Sequence, residues 1–169
     1  FMAVTKTALE RVVYMTQGRV FPDYAGVELG LAEKLAIRAI AQTTGDSDES
    51  IEAAWKTAGD LGLVAEERLR RRKQTSLQTE PLTVAKVYRN LKDIATTAGS
   101  GSQEKKLSLL AELLTDAAPK EARYLVRIVV GKMRLGVADM TIIDALAAAF
   151  ATKAERDRVE RAYNVSSDL

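Results

Sequence analysis

The sequence predicts an all-α chain, and three observations predict it. Ala, Leu, Lys, Arg and Glu dominate the 169 residues, and only three prolines interrupt them; all five are good helix formers. Apolar residues recur at three- and four-residue spacing over most of the chain, and strand-like alternation is hard to find. Helix starts and stops stand between the periodic runs, with Ser, Thr or Asp before them and Gly after them.

The Phe1-Met2 start is set aside as irregular. A first helix is expected over Thr5–Gln17, with Leu9, Val12, Val13, Tyr14 and Met15 inward, and Gly18 stops it. Residues 18–30 read as a loop punctuated by Pro22, Gly26 and Gly30. A second helix covers Leu31–Thr44, offering Leu35, Ile37, Ala39 and Ile40 for burial. Asp46 or Ser47 caps a third, which carries Ile51, Ala54 and Trp55 and stops at Gly59. Asp60-Leu61-Gly62 reads as a tight turn into a short helix, Leu63–Arg70. Arg72–Glu80 reads as an exposed linker or hairpin.

Thr83 caps a long helix through Ala98, with Val84, Val87, Leu91 and Ile94 on one face. A Gly-Ser turn then leads into a helix over Gln103–Ala117 bearing Leu107, Leu110 and Leu114. Pro119 suits the first turn of the next helix. That helix, Lys120–Val130, is expected to bury Tyr124, Leu125, Ile128 and Val129. After Gly136 a helix over Asp139–Ala151 carries Ile142, Ile143, Leu146 and Phe150, and a last helix holds Val159 and Tyr163.

The composition bounds the chemistry. With 47% hydrophobic and 28% charged residues, the chain reads as a single folded domain over 1–169. Cysteine and histidine are both absent. No disulfide framework, thiolate metal site, Ser-His or Cys-His arrangement is therefore available. No Walker A run, G-x-G-x-x-G or EF-hand loop is present. No apolar run approaches the ~18 residues that span a membrane, so an intracellular, cytoplasmic protein is expected. The formal net charge is only +2. That argues weakly against a polyanion binder, but the cations are clustered and their local field is larger.

The chain also aligns with itself. Leu29–Ala41 matches Leu135–Ala147 at an offset of 106 residues, with Gly30/Gly136, Ala32/Ala138, Ile37/Ile143, Ala39/Ala145 and Ala41/Ala147 identical. Ile51–Leu61 matches Val159–Leu169 at an offset of 108, through Glu52/Glu160, Ala54/Ala162, Asp60/Asp168 and Leu61/Leu169. An internal pseudo-twofold repeat is the reading; chance similarity of Ala/Leu-rich helices is the alternative. The second copy stops where the first continues, so the chain is read as a fragment truncated at both ends.

The candidate binding residues are basic and lie at helix ends. GSGSQEKK holds Gly99, Ser100, Gly101, Ser102, Lys105 and Lys106 at a helix start. Free backbone N–H groups and cations meet anions there. GKMRLG places Lys132 and Arg134 beside Gly136; an arginine so placed reaches a phosphate or a minor groove. Arg68–Lys73 adds Arg70 and Arg72. Each has a plainer reading: an interhelix loop, a complement to a helix C-terminus, and a solvated face. Arg123 and Arg127, four apart, are expected along one edge of their helix, with one of them paired to Glu121 or Glu112, and Asp60 and Asp168 to cap or brace turns. No metal-ligating set is found.

These residues resemble a known family. GRVFPDYAGVELGLAEKL, GDLGLVAEE, LTVAKVYRNLKDIATTAGSGSQEKK, EARYLVRIVVGKMRLGVADMTIIDALAAAF and ERAYNVSSDL occur in order across almost the whole chain. Together they are similar to the N-terminal DNA-binding domain of archaeal and eukaryotic-type ATP-dependent DNA ligases. The resemblance implies an all-α array of paired helices with pseudo-twofold character. It implies sequence-independent binding of nicked duplex DNA through the minor groove and phosphates, in replication, repair and recombination. Gly99, Ser100, Gly101, Ser102 and Lys106 match one contact turn, and Arg134, Leu135 and Gly136 another. Gly62 and the basic segment after it match a further contact region. A non-halophilic archaeal source is suggested, with a cytoplasmic, nucleoid-associated location.

Two departures qualify the resemblance. No lysine is followed by the pattern Lys-x-Asp-Gly of adenylated ligase lysines; Lys56 precedes TAGD. The catalytic domains are thus read as absent, ATP and Mg²⁺ are expected only for the full-length enzyme, and the chain alone is expected to be inactive. About one helical unit is also expected to be missing at each end. The implied partners are nicked duplex DNA, the ligase's own catalytic domains and a sliding clamp. The alternative reading is a helical interaction module that docks a sliding clamp or the ligase catalytic core.

Overall fold

A computed structural model describes residues 6–72, 81–150, 155–166 and 168. The described residues form α1 (Lys6–Thr16), α2 (Glu33–Thr44), α3 (Asp48–Ala58), α4 (Leu61–Arg71) and α5 (Val84–Thr96). They continue as α6 (Ser102–Asp116), α7 (Pro119–Val129), α8 (Asp139–Phe150) and α9 (Arg156–Ser166). Asp23–Ala25 is a short 3-10 turn, and no strand occurs among the described residues. The all-α expectation holds. The expected helix start at Thr5, the linker beyond Arg72 and the helix end at Ala151 lie outside the described residues.

The core forms around α2. Ala36, Ala39 and Ile40 on its inner face are fully buried. The small alanines let α2 lie between α6, α4 and α3. Ile51 of α3, Leu91 and Ile94 of α5, Leu110, Leu113 and Leu114 of α6, and Val126 of α7 complete the cluster. Buried Asn90 donates to Glu112 Oε2 (3.1 Å), and Lys86 meets Asp116 (2.8 Å) and Glu112 (3.0 Å), tying α5 to α6. Ile142, Ile143 and Ala147 of α8 are buried apart from that cluster. There α8 and α9 pack together and hold α1: Tyr14 donates to Asp168 (2.9 Å), Gln17 to Asp139 (2.8 Å) and Tyr163 to Asp139 (2.7 Å). Burial and the Asp168 bond raise the Tyr14 phenol well above its usual range.

The aligned segments start helices at matching residues, Glu33 and Asp139, each 12 residues long. Their surroundings differ, since α2 is central and α8 peripheral.

Several local expectations need correcting. Asp60-Leu61-Gly62 is not a turn. Gly59 ends α3 in the left-handed region, Asp60 caps α4 through Gly62 N and Leu63 N, and the helix starts at Leu61. Ser47, not Asp46, caps α3. Tyr124, Val84 and Phe150 are exposed rather than buried: Tyr124 falls at the edge of the α7 apolar stripe, while Val84 is the first residue of α5 and Phe150 the last of α8, where no further turn covers them. Arg123 pairs with Glu66 and Arg127 with Asp60, so neither meets Glu121 or Glu112. The close seam between α4 and α7 puts those acids nearer.

Candidate nucleic-acid interface

The first turn joins α5 to α6. Gly99 (φ 86°) and Gly101 (φ 77°) both take left-handed backbone, which a side chain would strain. Gly99, Ser100 and Gly101 are exposed. Ser102 N turns back to Gly99 O at 3.2 Å and helical bonding starts with Lys105 N to Gly101 O at 3.2 Å, so the Gln103 and Glu104 amides sit at the open helix pole. Lys105 is exposed and Lys106 half-buried. Neither makes an ion pair among the described residues. The turn therefore presents donors and unneutralised cations together.

The second turn joins α7 to α8. Lys132 N returns to Arg127 O at 2.8 Å, and Leu31 N reaches Val129 O at 2.8 Å, fastening the approach to α2 beside it. Arg134 is the one non-glycine with left-handed backbone among the described residues (φ 52°). Gly136 follows at φ 66°, exposed. Lys132 Nζ lies 2.6 Å from Glu33, and Arg134 Nη1 lies 3.5 Å from Asp60.

Asp60 is the centre of this second turn. Its carboxylate is buried, accepts from Gly62 N (2.9 Å) and Leu63 N (3.2 Å), and takes Arg127 Nη2 at 2.6 Å. Burial alone raises its pKa. The Arg127 hydrogen bond and the two amides outweigh that, and the group sits below its ordinary 3.8. One carboxylate thus caps α4, ties α7 to it, and still meets the half-exposed Arg134.

The two turns approach each other along α2. Glu33 holds Lys132 at one point, and Arg38 holds Glu104 of α6 at 3.2 Å at another. The two residues are five apart on α2, a rise of about 7.5 Å. Both turns are thus tied to the N-terminal half of α2, the one with Lys132 and Arg134 through Glu33 and the start of α6, with Lys105 and Lys106, through Arg38 and Glu104.

The remaining predicted residues do not join them. Arg72 donates to Thr115 O (3.1 Å) at the far end of α6, about 20 Å along the axis from Ser102. Arg70 pairs with Glu66 at 2.5 Å. With Arg68 and Arg71, Arg72 lines a separate open cleft of about 510 Å³ beside Gly45. Gly62 is buried in α4. A Cβ there would stand 2.6 Å from Arg123 O, so Gly62 is a packing residue of the α4–α7 seam and offers no surface contact.

Sequence reasoning passed over Glu33, Arg38 and Glu104. The signal was their position. Glu33 and Glu104 lie in first helical turns, and Glu33 had an acidic partner in the self-alignment.

Comparison with known proteins bears on what carries this arrangement. The family model for the DNA ligase N terminus matches residues 1–147. The chain belongs to that family. DNA ligase 2 of Thermofilum pendens is 50% identical over 177 aligned residues, covering 100% of this chain and 30% of the relative. The DNA ligase of Cenarchaeum symbiosum is 45% identical, covering 95% of this chain and 28% of the relative. That of Acidianus ambivalens is 45% identical, covering 100% and 30%. The chain thus spans about 30% of the length of these relatives. In this DNA ligase N-terminal domain no group of three metal-ligating residues gathers among the described residues. No described helix is long and apolar enough to cross a membrane.

Proposed function

We propose that this chain binds nicked duplex DNA without sequence preference, through the phosphate backbone and minor groove. It does so as the DNA-binding part of an ATP-dependent DNA ligase acting in replication, repair and recombination. The observation that carries the reading is the Gly99–Lys106 turn, where two left-handed glycines open a helix pole beside two unpaired lysines. Arg134 supports it from the neighbouring turn, with more than half of its side chain exposed. In this reading the catalytic domains of the longer ligase carry the adenylated lysine, ATP and Mg²⁺, because no Lys-x-Asp-Gly occurs here. The chain clamps the duplex and does not itself join ends, in the cytoplasm on the nucleoid.

A mobility-shift series over salt tests this. Each phosphate contact steepens the fall of log K with log salt by about 0.9. Reversing Lys105, Lys106 and Arg134 to Glu is expected to abolish measurable binding. Binding that ignores salt, or that survives the triple change, refutes the reading. The alternative, docking a sliding clamp or the catalytic core, draws on an apolar groove lined by Met15, Val84, Val87, Tyr124, Leu125 and Met133. It wins if DNA affinity survives the triple change while substitutions in the groove release a protein partner.

A further inference from the structure

Two cations beside the proposed DNA-contacting turns, Lys132 in one and Arg38 against the start of α6, already hold carboxylates. Glu33 is the first residue of α2 and lies 2.6 Å from Lys132. Glu104 sits in the first turn of α6 and lies 3.2 Å from Arg38. Helix N-termini favour negative charge in their first turn. Each glutamate therefore sits in the field of a helix pole and holds a basic side chain at once, the two attractions that a backbone phosphate would use. Both are accessible, Glu33 with 36% and Glu104 with 69% of its side chain exposed. Asp60 differs: it is buried, bound to two amides and Arg127, and stays in place.

We propose that Glu33 and Glu104 are affinity-setting acids. They stand in for phosphate in the free protein, hold Lys132 and Arg38 in position, and yield them to the DNA backbone on binding. The inference rests on the DNA-binding reading above. It makes the face pre-arranged yet weaker than its cations alone would give, which suits a module that releases the duplex after use. Exposed ion pairs are weak, so each exchange lowers affinity by roughly two- to fivefold.

The test is fluorescence anisotropy with a labelled nicked duplex, over a salt series, on the full chain. The proteins are wild type, E33Q, E104Q, the double variant, and E10Q. Glu10 is exposed on α1, beside Tyr14 and Tyr88 rather than either turn, so E10Q adds the same charge away from the face. E33Q and E104Q are each expected to bind roughly two- to fivefold tighter at low salt. Each is expected to steepen the salt slope by about 0.9, and the double variant to combine the effects while E10Q stays at wild type. If E33Q folds poorly by circular dichroism, E104Q, the more exposed of the two, decides. The inference falls if E104Q binds no tighter than E10Q while wild type binds in a salt-sensitive manner; the DNA-binding reading then stands. If wild type does not bind at all, both fall.

Discussion

Replacing Asp60 by alanine is expected to destabilise the fold by about 4 kcal/mol, from two losses. The α4 cap on Gly62 N and Leu63 N disappears, at about 1 kcal/mol for an N-cap. The Arg127 side chain, only 13% exposed, then keeps a charge with no acid beside it. Breaking a buried pair from one side costs about 3 kcal/mol at the lower end. Arg134, 3.5 Å away and 55% exposed, adds nothing to the sum. For a chain of this size the melting temperature is expected to fall by roughly 8–16 °C. Thermal melts followed by circular dichroism measure it. Asp60→Asn separates the terms, because asparagine caps a helix as well as aspartate; it is expected to recover about 1 kcal/mol. A D60A protein within about 1 kcal/mol of wild type, or no gain for D60N, refutes the account. The pH dependence carries a sign. The folded carboxyl titrates below its ordinary 3.8, so its stabilisation is full above that value. It is lost as pH falls through the folded pKa. The gap between wild type and D60N is therefore expected to be constant near neutrality and to close in acid.

Gly62→Ala places a Cβ 2.6 Å from the Arg123 carbonyl, a backbone atom that cannot turn aside. It is expected to destabilise by about 1–3 kcal/mol in thermal melts, with DNA affinity of the folded fraction unchanged, since Gly62 lies below the surface. Leu110 of α6 is fully buried in the core cluster. Leu110→Ala is expected to lose about 2–5 kcal/mol in urea titrations without altering the m-value.

The helices were legible because their signals are local. Thr83, Gly59 and Pro119 each fix a boundary through their own backbone chemistry, and α2, α5 and α6 carry unbroken apolar stripes. The turn at Gly99–Gly101 was legible for the same reason, since two glycines so close together mark left-handed backbone. What could not be read was pairing across the fold. Gly62 looked like a turn residue because Asp-Leu-Gly is a turn pattern; only the approach of α7 makes it a packing residue. Arg72 looked like a neighbour of the other cations in composition, yet α6 separates it from them by its length. The partners of Arg123 and Arg127 lie more than fifty residues away, where helical spacing rules say nothing.

The bond between Asp60 and Arg134 also bears on how the protein acquires its working shape. The two residues are 74 positions apart, and the intervening chain includes α4 through α7. Closing a loop of that length forfeits chain entropy before any contact within it compensates. The Lys132–Gly136 turn is therefore expected to be set late, after α4 and α7 have docked. Competence for the duplex becomes a report on the finished fold, and a half-assembled chain with helices in place would still lack it.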